Sequence, residues 1–235
     1  MNADTLRAER RGLLASVIGA LAVGCTGVVF YFLTEAEAIL LDGLFNIVYC
    51  ITGVFTLRVA ALVLRGDDER FPLGYGFFEP LINGIKGILL LGLTLMALFS
   101  AINALFGGGR EIILGPAVVY GVIAASACWI VALVVRRSAR LSGSPLVRAD
   151  AASWIVNAAV SLAVLVTLVI VLLIKDSPLG YLADYVDPAL VVVLCLVTIG
   201  VPVRIAREAL LEFLNRTPSP ELLAQVREAI QEVVA

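Results

Sequence analysis

The chain has 235 residues, 61% of them hydrophobic and 15% charged, with 17 basic against 19 acidic side chains and no histidine. Soluble domains sit near half apolar and a quarter charged, so this composition excludes an ordinary soluble domain and points to a bundle of membrane helices. The near-neutral balance, without a basic tract, excludes a nucleic-acid partner.

The opening MNADTLRAERRG mixes acids with arginines, and the apolar run behind it has full spanning length, so it does not read as a signal peptide. A spanning helix needs about 20 mostly apolar residues. Six segments qualify, at about 12–34, 37–64, 79–106, 115–135, 149–174 and 187–212. Polar punctuation separates them: RGDDERFPLG, GGGRE, RRSARLSGSP and KDSPLGYLADYVDP. Small residues recur four apart at Ser16/Ala20/Gly24 and Ala117/Gly121/Ala125, which lets helix backbones approach closely. The four cysteines, Cys25, Cys50, Cys128 and Cys195, are isolated inside apolar runs and read as small buried side chains rather than as a disulfide or thiolate framework.

Basic residues set the orientation. With both termini cytoplasmic, the inner side carries Arg7, Arg10, Arg11, Arg65, Arg70, Arg136, Arg137, Arg140, Arg148, Arg204, Arg207, Arg216 and Arg227; the outer side carries Arg110 and Lys175. The expected fold is all-α, a six-helix transmembrane bundle. Residues 1–11 form a cytoplasmic segment, 12–214 the transmembrane domain and 215–235 a short cytoplasmic helix with an apolar stripe at Leu222, Leu223, Val226, Ile230 and Val233. No soluble domain is expected after that helix.

Polar residues inside a span are costly and mark function by default. Asp42 and Asn46, four apart, share a face of the second helix. Asp150, Ser153, Asn157 and Ser161 fall within about 80° of one another on the fifth. Glu79, Asn83 and Lys86 share a face of the third. Two such stripes can build a four-ligand cation site, or serve only as interhelical hydrogen bonds. An ionised carboxylate in lipid needs a cation, a basic side chain or a proton, and Lys86 is the internal candidate to neutralise Asp42 unless it snorkels toward Glu79 or the headgroups. No nucleophile–base pair, HExxH motif or phosphate loop is present, so an enzyme is not expected.

Four ordered segments resemble the cation diffusion facilitator (cation efflux) family: LTEAEAILLDGLFNI, RFPLGYGFFEPL, VRADAASWIVNAAVS and YVDPALVVVLCLVTIGVPVRIAREALLEFLNRTPSP. The resemblance implies a multi-pass, homodimeric exporter of a divalent metal in exchange for protons, in a prokaryotic inner (plasma) membrane, with no permanently bound cofactor. Its partners would be the lipid bilayer, the metal cation and the proton. It places the metal ligands at Asp42 and Asn46 on the second helix and at Ser153 and Asn157 on the fifth. Two or three carboxylates and a histidine are thereby reduced to one carboxylate, two amides and a hydroxyl.

Phe71 and Tyr75 stand where the family's helix-three signature carries histidines, and Phe77 where a basic residue is common. Asn and Ser do not titrate usefully, so proton coupling falls to Asp42, with Asp150 and Lys86 as accessory groups. Such an oxygen set favours hard ions such as Mn²⁺ or Mg²⁺ at least as much as Zn²⁺. The alternative is a degenerate, non-transporting member that acts as a membrane binding or regulatory partner.

Overall fold

The computed structural model describes residues 3–63, 75, 77–143, 145–176, 178 and 180–214. Among them the chain is almost entirely helical, without strands: α1 (Ala3–Thr34), α2 (Glu37–Val63), α3 (Phe78–Phe106), α4 (Leu114–Ser142), α5 (Pro145–Ile174), a 3₁₀ turn (Gly180–Leu182), α6 (Ala183–Thr198) and α7 (Gly200–Phe213). Six segments are long and apolar enough to cross a membrane, α6 and α7 together making the sixth. The expected C-terminal helix at 215–235 and most of the RFPLGYGFFEPL signature lie outside the described residues.

The helix ends depart from the apolar runs where charge and helicity part company. Arg136, Arg137 and Arg140 end the hydrophobic stretch of α4, yet the helix continues to Ser142 and stops at Gly143, which takes the left-handed φ of 66° suited to glycine. The sixth span, expected to be continuous, is broken at Ile199. Pro202 is the cause, since its ring crowds the carbonyl of Thr198 and it has no N–H to donate to it.

Two groups of helices form, one of α1, α4 and α5, the other of α3, α6 and α7, with α2 packed against both α1 and α3. In the first group, Ala20, Val23, Cys128, Ala132, Val135, Val147, Ala151 and Ala158 make a buried core of mostly small residues. The small-residue stripes expected from the sequence do bring backbones together. A Cβ on Gly27 of α1 would lie 2.7 Å from the Gly43 Cα of α2, and one on Gly24 would lie 3.1 Å from the Gly43 carbonyl oxygen. Only glycine permits that crossing, and Gly43 is the neighbour of Asp42.

The start of α2 is held by another helix. Ala36, which precedes it, has no side chain able to cap, so the first backbone N–H groups need an outside acceptor. Asp187 of α6 supplies it, its two carboxylate oxygens accepting from Glu37 N–H and Ala38 N–H, each at 3.2 Å. Arg110, in the α3–α4 connection, pairs with Glu37 at 2.8 Å and Asp187 at 3.4 Å, and donates to Ser100 Oγ at 3.1 Å. Ser100 in turn donates to Glu37 Oε1 at 2.6 Å. Pro188 adds a further tie. With no N–H at Pro188, the carbonyl of Asp184 four residues earlier has no helical donor, and the backbone N–H of Arg110 fills the place at 2.6 Å.

Candidate cation site

Asp42 lies five residues into α2, about 7.5 Å along its axis from Glu37. Asn46 folds back onto it, donating from Nδ2 to the Asp42 backbone carbonyl at 2.9 Å and to Oδ1 at 3.2 Å. The spacing of four that marked the pair thus makes a direct contact. The other carboxylate oxygen, Oδ2, accepts from the hydroxyl of Tyr120 on α4 at 2.6 Å. Tyr120 is only 2% exposed and its ring packs against Phe30 of α1 at 5.6 Å between centroids. Among the described residues no lysine or arginine forms a salt bridge with Asp42.

The α5 positions go elsewhere. Asn157 donates from Nδ2 to the sulfur of Cys128 at 3.5 Å, and Ser161 donates to the same sulfur at 3.7 Å. Cys128 is fully buried and within electrostatic reach of Asp42 and Tyr120. It is more than the small apolar side chain expected from the sequence, because it is the acceptor that gathers the α5 stripe. Ser153 is exposed on the flank of α5. Of the four proposed ligands, then, Asp42 and Asn46 are bonded to each other and Asn157 is tied to Cys128 on α4.

Deeper toward the start of α5, Ser16 of α1 links two groups: it accepts from Trp154 Nε1 at 2.7 Å and bonds to the Asp150 carboxylate. The other oxygen of Asp150, Oδ2, is buried with no hydrogen-bond partner. Lys86 does not reach Asp42. Its ammonium lies over the ring of Tyr49 on α2, 4.2 Å from the centroid, and its charge interacts with that of Asp150. The Glu79 side chain, its other expected partner, lies outside the described residues.

Polar groups therefore run along the bundle in steps: Asp150 with Lys86, then Cys128 with Asn157 and Ser161, then Asp42 with Asn46 and Tyr120, then the Glu37–Arg110–Asp187 cluster. Sequence reasoning missed Tyr120, Cys128 and the joint role of Arg110 and Asp187. The available signal for Tyr120 was a tyrosine well inside a span, since tyrosine concentrates at membrane surfaces unless its hydroxyl has a partner.

Six membrane-crossing helices define an integral membrane protein, and an aspartate inside one span, with no basic partner among the described residues, marks a candidate ion site. Residues 13–214 match the cation efflux transmembrane domain, and the chain belongs to the cation efflux family, whose members are transporters and not enzymes. It is also similar to the manganese efflux system protein MneS of Bacillus subtilis (strain 168), 26% identical over 139 residues. That match covers 59% of this chain and 47% of the relative, so the chain spans about half the length of the curated relative it matches.

Proposed function

We propose that the protein exports a divalent metal cation by exchange with protons, and that Asp42 is the charged group which holds the ion. The observation that carries this reading is the state of Asp42: a carboxylate inside a span held by the neutral donors Tyr120 and Asn46. Burying a charge without a counter-charge is costly, so the position is suited to a mobile cation or a proton. Lys86, engaged with Tyr49, does not supply an internal substitute, which speaks for transport over a silent, self-neutralised site.

Oxygen donors around one carboxylate suit a hard ion such as Mn²⁺ or Mg²⁺ better than the nitrogen and sulfur geometry zinc prefers. The manganese efflux relative supports Mn²⁺ as the first ion to try. The family resemblance adds a homodimer in a prokaryotic inner membrane to this reading. The test is cation flux in proteoliposomes under an imposed pH gradient, with Mn²⁺, Mg²⁺ and Zn²⁺ compared. Wild-type protein is expected to move Mn²⁺ with a lower KM than Zn²⁺, and Asp42→Ala to abolish the flux. Asp42→Asn is expected to remove its dependence on the pH gradient. Flux of the same size and pH dependence in Asp42→Asn would reject the assignment.

A further inference from the structure

We propose that Asp150 is a second, inner cation site, and that Lys86 is a tethered ammonium which keeps monovalent ions out of it. The place of this site on an ion's route rests on the export reading above, whereas the site itself does not.

Asp150 lies five residues into α5, and its two oxygens are treated differently. The carboxylate is bonded to Ser16 of α1, but Oδ2 is buried with no hydrogen-bond partner. A buried acceptor left unpaired is costly, so this oxygen is suited to a cation. Lys86 of α3 brings positive charge close without closing the gap. Its charge acts on Asp150, yet among the described residues no salt bridge joins the two. The ammonium rests instead on the face of Tyr49, 4.2 Å from the ring centroid.

Tyr49 connects this arrangement to Asp42. Both are on α2, seven residues or two turns apart, so they share a face about 10.5 Å from one another along the axis. Tyr49, Lys86 and Asp150 lie inward of Asp42, toward the side where α1 begins and α7 finishes, which the basic residues assign to the cytoplasm. A cation moving outward to Asp42 along that face meets the Lys86 ammonium first. Lys86 also lines a cleft of about 220 Å³ between α3 and α7, with Asn83, Glu208 and Glu212. Glu208 shares its charge with Arg204 at 2.9 Å, so Glu212 is the acceptor for a displaced ammonium. The flexible lysine stem thus stands between carboxylates on two sides.

The tether decides which ions enter. Potassium and sodium carry the same charge as the ammonium, which is held beside Asp150 at an effective concentration that a free ion does not reach. A divalent ion attracts the carboxylate twice as strongly at equal distance and can displace the lysine. A lone carboxylate oxygen, with water completing the shell, suits a hard divalent ion such as Mn²⁺.

The test is Mn²⁺ binding to the full chain in detergent, read from the electron paramagnetic resonance of the free ion. The background cation is K⁺ or N-methylglucamine at one ionic strength, and Asp42→Asn isolates the inner site. In that variant Mn²⁺ should bind with an affinity that K⁺ does not change. Adding Lys86→Met should raise the affinity about tenfold and let K⁺ lower it about threefold or more, as removal of a tethered competitor implies. Lys86→Arg should keep the indifference to K⁺, and Asp150→Asn should abolish binding. A merely structural role for Lys86 would change the melting temperature and not the response to K⁺. An affinity unmoved by Lys86→Met, or Mn²⁺ bound as well by Asp150→Asn, would overturn the proposal, and Lys86→Met decides it even if Asp150→Asn fails to fold. Loss of all Mn²⁺ binding in Asp42→Asn rejects the inner site and leaves the role of Asp42 standing. Wild-type Mn²⁺ flux in Asp42→Asn, with Lys86→Met behaving as expected, removes the role of Asp42 and keeps the inner site.

Discussion

Two aspartates inside apolar helices have opposite surroundings. Asp187 is 1% exposed, and its oxygens are taken by two backbone N–H groups and a guanidinium. Asp42 has only neutral donors among the described residues. The first is saturated and structural; the second has bonding capacity left over. Asp187→Ala removes the cap of α2 and leaves Arg110 short of a partner, at a cost of about 3 kcal/mol. Asp187→Asn keeps an acceptor for the cap and should lose about half of that. Thermal unfolding in detergent reads both, and an unshifted Asp187→Ala would mean that the cap contributes nothing. Asp42 and Asn46 were legible in the sequence because four-residue spacing places them together on any helix. Tyr120 and Cys128 were not, because the partner of a side chain across a bundle depends on which helices pack and at what height, and spacing within one helix carries neither.

At the scale of the element, the crossing of α1 and α2 is set by Gly24, Gly27 and Gly43. An added methyl on Gly27 meets backbone atoms of α2, which cannot rotate away as a flexible side chain would. Gly27→Ala is expected to destabilise by about 2 kcal/mol and to reduce Mn²⁺ flux strongly, since it also intrudes on Tyr120. Gly92 in α3 is the control, because a Cβ there meets nothing within 4 Å. Gly92→Ala should be neutral or stabilise by up to about 1 kcal/mol through helix propensity. Equal effects of the two substitutions on melting temperature would show that the crossing is not tight. Of these three glycines, Gly24 belongs to a small-residue stripe read from the sequence, whereas Gly27 and Gly43 do not. The break at Ile199 was not expected, although Gly200 and Pro202 mark it: the uninterrupted apolar run concealed it, because hydropathy measures burial in lipid and not helix continuity.

For the whole molecule, α2 is the shared member between the α1/α4/α5 group and the α3/α6/α7 group, and it carries Asp42 at their junction. One end of that junction is fastened by Arg110, which reaches α2, α3 and α6 at once. Arg110→Met cuts the fastening without touching the packing of α4 on α5. Hydrogen exchange is expected to rise about tenfold or more at residues 34–38 and 107–113 while α4 and α5 remain protected. Uniform exchange changes along the chain would instead indicate general destabilisation. The all-helical, six-span plan was readable from composition and run length because lipid demands both. The grouping of helices was not, since every span offers an apolar surface all round and no single buried face stands out.

The proline at position 188 has a practical consequence. By leaving the Asp184 carbonyl free for the Arg110 backbone, it fixes where the GGGRE connection must lie, and Gly109, with φ of 95° and Asp184 oxygen 2.7 Å from where its Cβ would be, fits no other residue without strain. An epitope tag or fluorescent label inserted there would displace Arg110 from three helices at once. Gly143, exposed and with open space around it, is the better place to attach one.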